Sequence, residues 1–103
     1  MKYFLIKYQF KTGSQEEWHA EIKRFIAALE SDPVLKEKIS YRCMKGKDDS
    51  EYYHLAAVTD DQAVKELGER DYFKHYTDQT DRVSDGGLVV SPVEIIAQTG
   101  LRG

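Results

Sequence analysis

From Lys2 to Lys11 side chains alternate, with Phe4, Ile6, Tyr8 and Phe10 on one face and Tyr3, Leu5, Lys7, Gln9 and Lys11 on the other. A period of two belongs to a strand, because successive side chains of a pleated chain point to opposite sides. Thr12-Gly13 then turns the chain. Ser14-Gln15-Glu16-Glu17 reads as a capping box, in which the Ser14 hydroxyl accepts from the Glu17 amide and the Glu17 carboxylate reaches back. The helix it opens carries Trp18, Ile22, Phe25, Ile26 and Leu29 along one helical face. Asp32-Pro33 stops it, since the residue before a proline is driven out of the helical region, and Val34-Leu35 adds a short last turn.

Ile39 to Lys45 and Glu51 to Thr59 are the next two strands, and the polar, glycine-containing Gly46 to Ser50 between them is a hairpin signal. Thr59, Asp60 and Asp61 offer capping oxygens and favourable charge to a second helix, whose apolar positions begin with Ala63, Val64 and Leu67. Gly68 predicts a break between Gly68 and Asp71, after which Phe73, Tyr76, Thr80 and Val83 continue on one stripe. Asp85-Gly86-Gly87 ends the helix. Leu88 to Gln98 supplies the last strand, with Pro92 marking an edge position or a bulge.

The order is therefore β-α-β-β-α-β, the ferredoxin-like α+β arrangement of a four-stranded antiparallel sheet with two helices on one face. The opposite face carries Tyr3, Leu5, Tyr53, Leu55, Ala57, Val93, Ile95 and Ala97. An exposed apolar patch of that kind predicts association, and two sheets packed across a two-fold axis, a homodimer, would cover it.

Composition narrows the partners. At 103 residues and 41% hydrophobic content, residues 1–103 form one domain with one core. A net charge of −3 leaves no basic footprint for phosphates, so nucleic acid is not an expected partner. The apolar run behind Met1 and Lys2 is too short for a secretory segment or a bilayer span, which predicts a soluble, cytoplasmic protein without a membrane partner. Cys43 is the single cysteine, so it forms no internal disulfide, and its place inside a strand points to packing. The three histidines have no metal-ligand spacing, and the acidic clusters at Asp48-Asp49 and Asp60-Asp61 lack the spacing of a calcium loop. With no P-loop, nucleotide-binding glycine fingerprint or nucleophile elbow, no cofactor or metal is expected.

The whole pattern resembles the antibiotic biosynthesis monooxygenase-like domains of the dimeric α+β barrel superfamily. Within Tyr52 to Tyr76, the positions Asp60, Ala63 and Phe73 keep the family's pattern, while Leu67 and Tyr72 stand where histidine is common. Leu67 and Thr77 occupy the places of the tryptophan and axial histidine of the haem-degrading branch, which speaks against haem. His75 lies two residues from that ligand position, about 200° around a helix.

The resemblance implies a homodimer with a ligand cavity between sheet and helices. It also implies a cofactor-independent monooxygenase-like or isomerase-like activity on a small aromatic, quinol-like or enolisable molecule; the alternative is a non-catalytic dimer that binds a small apolar molecule or is purely structural. Under the family pattern Tyr52, His54, Ala56 and Val58 face the helices beside Tyr8. His54 is then the candidate catalytic base, able to deprotonate a phenol or enol so that the carbanion reacts with oxygen or is reprotonated elsewhere. The competing reading is a half-buried histidine hydrogen-bonded to a tyrosine. Arg42 is the second catalytic candidate, as a bidentate partner for a carboxylate or enolate oxygen, or else the partner of a surface acid. Trp18, Tyr8, Tyr52 and Tyr76 are candidates to stack on an aromatic ligand, with core packing as the alternative for each. His19 and His75 are expected to face solvent or the rim.

Overall fold

The computed structural model describes residues 1–100 of the chain. Its elements are β1 (Lys2–Gln9), α1 (Gln15–Glu30), β2 (Ile39–Lys45), β3 (Glu51–Val58), α2 (Asp61–Gly68), α3 (Asp71–Val83) and β4 (Val89–Val93). The strands are antiparallel in the order β2-β3-β1-β4, the ferredoxin-like sheet expected from the pattern. The second helix is divided into α2 and α3 at the break foreseen at Gly68 to Asp71.

Local chemistry sets these boundaries. The Ser14 hydroxyl accepts from the Glu17 amide at 3.3 Å and opens α1, while the Asp60 carboxylate accepts from the Ala63 amide at 2.9 Å and opens α2. At the end of α3, Asp85 (φ 53°) and Gly86 (φ 75°) adopt the left-handed conformation, and the Gly87 amide returns to the Ser84 carbonyl at 3.0 Å.

Asp32 does more than stop α1. One of its carboxylate oxygens accepts from the Val34 and Leu35 amides at 3.0 and 3.1 Å; the other accepts from Arg70 Nε at 2.9 Å and the Tyr72 hydroxyl at 2.8 Å. The turn after α1 is thus tied to the junction of α2 and α3. The Arg70 hydrogen bond outweighs burial and holds the Asp32 carboxyl well below the usual carboxylate range.

Register decides which side chains meet. Antiparallel partners share a sheet face, and His54 lies opposite both Ile6 and Cys43, while Tyr41 lies opposite Ala56. These residues face the helices, against the buried Trp18, Ile22, Phe25 and Leu29 of α1, Ala63 and Leu67 of α2, and Tyr76, Thr80 and Val83 of α3. On the outer face Tyr3, Leu5, Tyr53, Leu55 and Ala57 are half-buried, and Val89 and Val93 are exposed. The Lys7 ammonium lies 5.9 Å from the centre of the Tyr53 ring on that face. Among the described residues no helix is long and apolar enough to cross a membrane.

Two strand ends and one burial differ from the sequence reading. β1 ends at Gln9, although the Phe10 and Lys11 amides still bond the Ser50 and Val83 carbonyls at 2.9 and 2.7 Å. Val64 is exposed on α2. β4 stops at Val93, which lies opposite Tyr3, one residue from the start of β1, so β1 could extend the pairing by no more than one residue within the strand. Ile95 and Ala97 therefore lie beyond the sheet.

Candidate functional site

Hydrophobic alternation places His54 in the middle of β3, pointing at the helices and fully enclosed. Both ring nitrogens are hydrogen-bonded to phenols. Nε2 meets the Tyr8 hydroxyl at 2.9 Å; Nδ1 meets the Tyr41 hydroxyl at 2.8 Å and the Tyr76 hydroxyl at 3.1 Å. The Trp18 indole N–H donates to the Tyr8 hydroxyl at 2.9 Å, and the Tyr76 hydroxyl lies 3.5 Å from that of Tyr41 and 3.8 Å from Cys43 Sγ. Stacking fixes the rings: Tyr76 lies parallel to Phe25 at 4.0 Å and to Trp18 at 5.7 Å, and Tyr8 lies parallel to Tyr52 at 5.2 Å. Among the described residues no buried side-chain nitrogen or oxygen lacks a partner.

Burial governs the protonation states. It pushes the His54 imidazole down to about 4, so the ring is neutral at pH 7. The same desolvation raises the Tyr8, Tyr41 and Tyr76 phenols well above the ordinary phenol value and the Cys43 thiol to about 11, which keeps all four protonated. The cluster is a connected set of neutral donors and acceptors.

On one side of this cluster lies a cavity of about 270 Å³ between the sheet and α2–α3. Phe4, Ile6, Ala56, Val58, Leu67, Phe73 and Leu88 make its wall apolar, and the exposed Val64 and Val90 stand at its rim. Thr77 and Thr80 also line it, but their hydroxyls donate to the carbonyls of Lys74 and Tyr76 at 3.0 and 2.7 Å. The Tyr41 and Tyr76 rings and the enclosed His54 complete the lining, with both phenol hydroxyls held in the hydrogen bonds of the cluster, so the surface a ligand meets is almost wholly apolar. A pocket with apolar walls and two tyrosines in its lining suits a small, largely apolar molecule. Among the described residues no three His, Cys, Asp or Glu side chains come together as metal ligands.

The candidates named from sequence divide accordingly. His54 and Tyr76 both line the cavity and are hydrogen-bonded to each other. Tyr8 and Trp18 belong to the cluster on the Nε2 side of His54, and Tyr52 is buried against Tyr8; none of the three lines the cavity. Arg42 is not brought to His54. It pairs in register with Leu55, and that parity places it on the outer sheet face. His19 is half-buried, with Nε2 2.7 Å from the Tyr52 hydroxyl, where a solvent-facing ring was expected; His75 is exposed and reaches Glu21 at 3.2 Å. Tyr41 is the residue the sequence reading passed over. Its signal was available, because Tyr41 alternates with Arg42 and so falls on the face of Ile39 and Cys43.

No protein-family model matches the chain, and no curated protein matches it. Solved structures do. A candidate antibiotic biosynthesis monooxygenase from Caulobacter crescentus superposes with a TM-score of 0.76 at 15% identity, over 93% of this chain and 90% of that one. SnoaB, a cofactor-independent oxygenase from Streptomyces nogalater, gives 0.71 at 14% identity over 94% of both chains. A dimeric ferredoxin-like protein of unknown function from Jannaschia gives 0.65 at 15% identity, over 92% of this chain and all of that one. The chain has the ferredoxin-like α+β fold of the antibiotic biosynthesis monooxygenase-like proteins.

Proposed function

We propose that the protein is a cofactor-independent monooxygenase-like enzyme whose cavity takes a small aromatic, quinol-like or enolisable molecule. The observation that carries this reading is the apolar cavity lined by two tyrosines whose hydroxyls are hydrogen-bonded to a neutral, fully enclosed histidine. His54 does not serve as a free base, since both its nitrogens are engaged and burial opposes its protonation. A neutral imidazole and its phenols instead stabilise negative charge by hydrogen bonding. Tyr41 and Tyr76 donate to the ligand oxygen, which lowers the acidity barrier of an enolisable ring position, and the proton leaves to water. The resulting carbanion adds dioxygen to form a carbon–oxygen bond, and the peroxide takes up a proton. The hydroperoxide then loses water to leave a carbonyl. Reprotonation of the same anion at another carbon would make the protein an isomerase.

Dioxygen uptake with keto- and hydroxy-aromatics of one to three rings tests the proposal. Removing both donors in the Tyr41→Phe, Tyr76→Phe double variant should lower turnover by roughly 100-fold or more. Unchanged turnover by a folded double variant overturns the role given to the phenols. The complete enclosure of His54 favours a second reading, in which the cavity binds an apolar molecule without turning it over; saturable binding with no oxygen uptake for any bound compound selects it.

We further propose a cytoplasmic homodimer joined through the outer sheet face. Its support is the apolar set Tyr3, Leu5, Tyr53, Leu55, Val89 and Val93, left uncovered by the helices, together with the dimeric description of the Jannaschia relative.

A further inference from the structure

We infer that Trp18 is a positioning residue: its indole N–H fixes the tautomer of His54, and so makes the cavity a site for a ligand that presents an acceptor oxygen, a ketone or its enolate. The inference deepens the proposed function and rests on it for the ligand; the tautomer follows from geometry alone.

An indole N–H can only donate, so the Tyr8 oxygen must accept from Trp18 at 2.9 Å. That leaves the Tyr8 proton to be placed, and the other hydrogen-bond partner of its hydroxyl is His54 Nε2, also at 2.9 Å. Were Nε2 protonated, Tyr8 would accept twice and its own proton would be buried without an acceptor, because Tyr8, Trp18 and His54 are all enclosed. Nε2 is therefore the acceptor, and the neutral ring carries its proton on Nδ1.

Nδ1–H then points at the Tyr41 and Tyr76 oxygens, at 2.8 and 3.1 Å. The single Nδ1 hydrogen goes to Tyr41, the nearer of the two, or is shared between them, so neither phenol has to donate to His54 and each keeps its own hydrogen to give. At rest these can run from Tyr41 to Tyr76 and from Tyr76 to Cys43 Sγ, contacts of 3.5 and 3.8 Å that are long and readily exchanged. A ligand oxygen in the cavity offers a better acceptor. The whole chain, from Trp18 through Tyr8, His54 and the two phenols, is thus aimed one way. It favours a carbonyl or enolate oxygen over an apolar ring of the same shape, and it contains no group that has to take up a proton when the enolate forms.

Nitrogen NMR of imidazole-labelled protein reads the tautomer directly. The wild-type His54 signals should show Nδ1 protonated and Nε2 bare. Trp18→Phe keeps an aromatic ring against Tyr76 and removes the N–H; it should move the ring towards a mixture of tautomers, as should Tyr8→Phe, which serves if the Trp18 variant fails to fold. Calorimetry with 1-tetralone and with tetralin, its oxygen-free counterpart, reads the consequence: the ratio of their affinities should fall roughly five- to tenfold in either variant. A wild-type ring protonated on Nε2, or variants that leave both tautomer and affinity ratio unchanged, overturns the inference. If the tautomer responds but neither compound binds the wild type, the proposed ligand class falls while the role of Trp18 stands.

Discussion

A histidine enclosed without a carboxylate among its hydrogen-bond partners makes stability depend on pH in a definite direction. The folded imidazole sits at about 4, below the ordinary value near 6.5. Between those values the unfolded chain binds more protons than the folded one. Stability is therefore fully present above the ordinary histidine value and is lost as pH falls towards 4, by roughly 3 kcal/mol in all. Urea unfolding at pH 7.5 and pH 4.5 measures that loss. His54→Gln cannot titrate, and it should lose clearly less across the same interval; an equal loss would mean that His54 is not held neutral. Periodicity made this residue legible, because alternation in β3 sets His54 with Tyr52, Ala56 and Val58. The same alternation in β2 held Tyr41, but one sequence gives no reason to single it out among the chain's seven tyrosines. What singles out Tyr41 is register, Tyr41 opposite Ala56 and Cys43 opposite His54, and register is a tertiary property. Arg42 is the converse case: its chemistry suggested a site residue, and the parity of β2 puts it on the other face.

Capping and turn chemistry were readable residue by residue. Ser14, Asp60 and the Asp85-Gly86-Gly87 stop do locally what their types favour, and the Asp60→Ala variant should lose about 1 kcal/mol of stability in thermal or urea unfolding. The role of Asp32 was not readable, since Arg70 and Tyr72 reach it from 38 and 40 residues away. Sequence showed only a residue before proline. In the fold its carboxylate holds the start of the Val34-Leu35 turn and the α2–α3 junction at once, so the break at Gly68 is braced as well as permitted. Asp32→Ala should cost roughly 2 kcal/mol, a fall in melting temperature of about 10 °C. Its pH signature is separable from that of His54. A carboxyl held below its ordinary range contributes stability that is present above the unfolded value near 3.9 and is lost as pH falls below it. Asp32→Asn should therefore flatten the stability curve below pH 4 and leave the interval between pH 6.5 and 4 as in the wild type; a loss confined to the higher interval would assign the acid sensitivity elsewhere. The overlong last strand has an equally physical origin. Apolar residues from Val93 to Ala97 have a strand's composition, but strand length is set by the partner, and the register of β1 ends the pairing at Val93.

At the scale of the whole molecule the sheet separates two surfaces with different work. Identity of 14–15% with structures of the same fold shows that this fold depends little on particular residues. The inner face holds the cavity and the His54 cluster. The outer face bears Leu5, Tyr53 and Leu55 with no helix over them. Leu55 follows His54 in β3, so the two are neighbours in sequence that point to opposite sides of the sheet. Association and ligand binding should therefore be separable by mutation. Placing an ammonium in the centre of a self-complementary apolar interface sets two like charges near each other across the two-fold axis and leaves both desolvated. Leu55→Lys should accordingly sediment as a monomer at about 10 μM, where the wild type sediments as a dimer, and a buried interface of ordinary size readily supports such a concentration. The variant's far-ultraviolet circular dichroism should match the wild type, and its affinity for 1-tetralone should stay within about threefold, because no cavity wall has changed. A wild type that sediments as a monomer removes the dimer from the account; a dimer broken together with a loss of binding would mean that the partner copy helps to build the cavity.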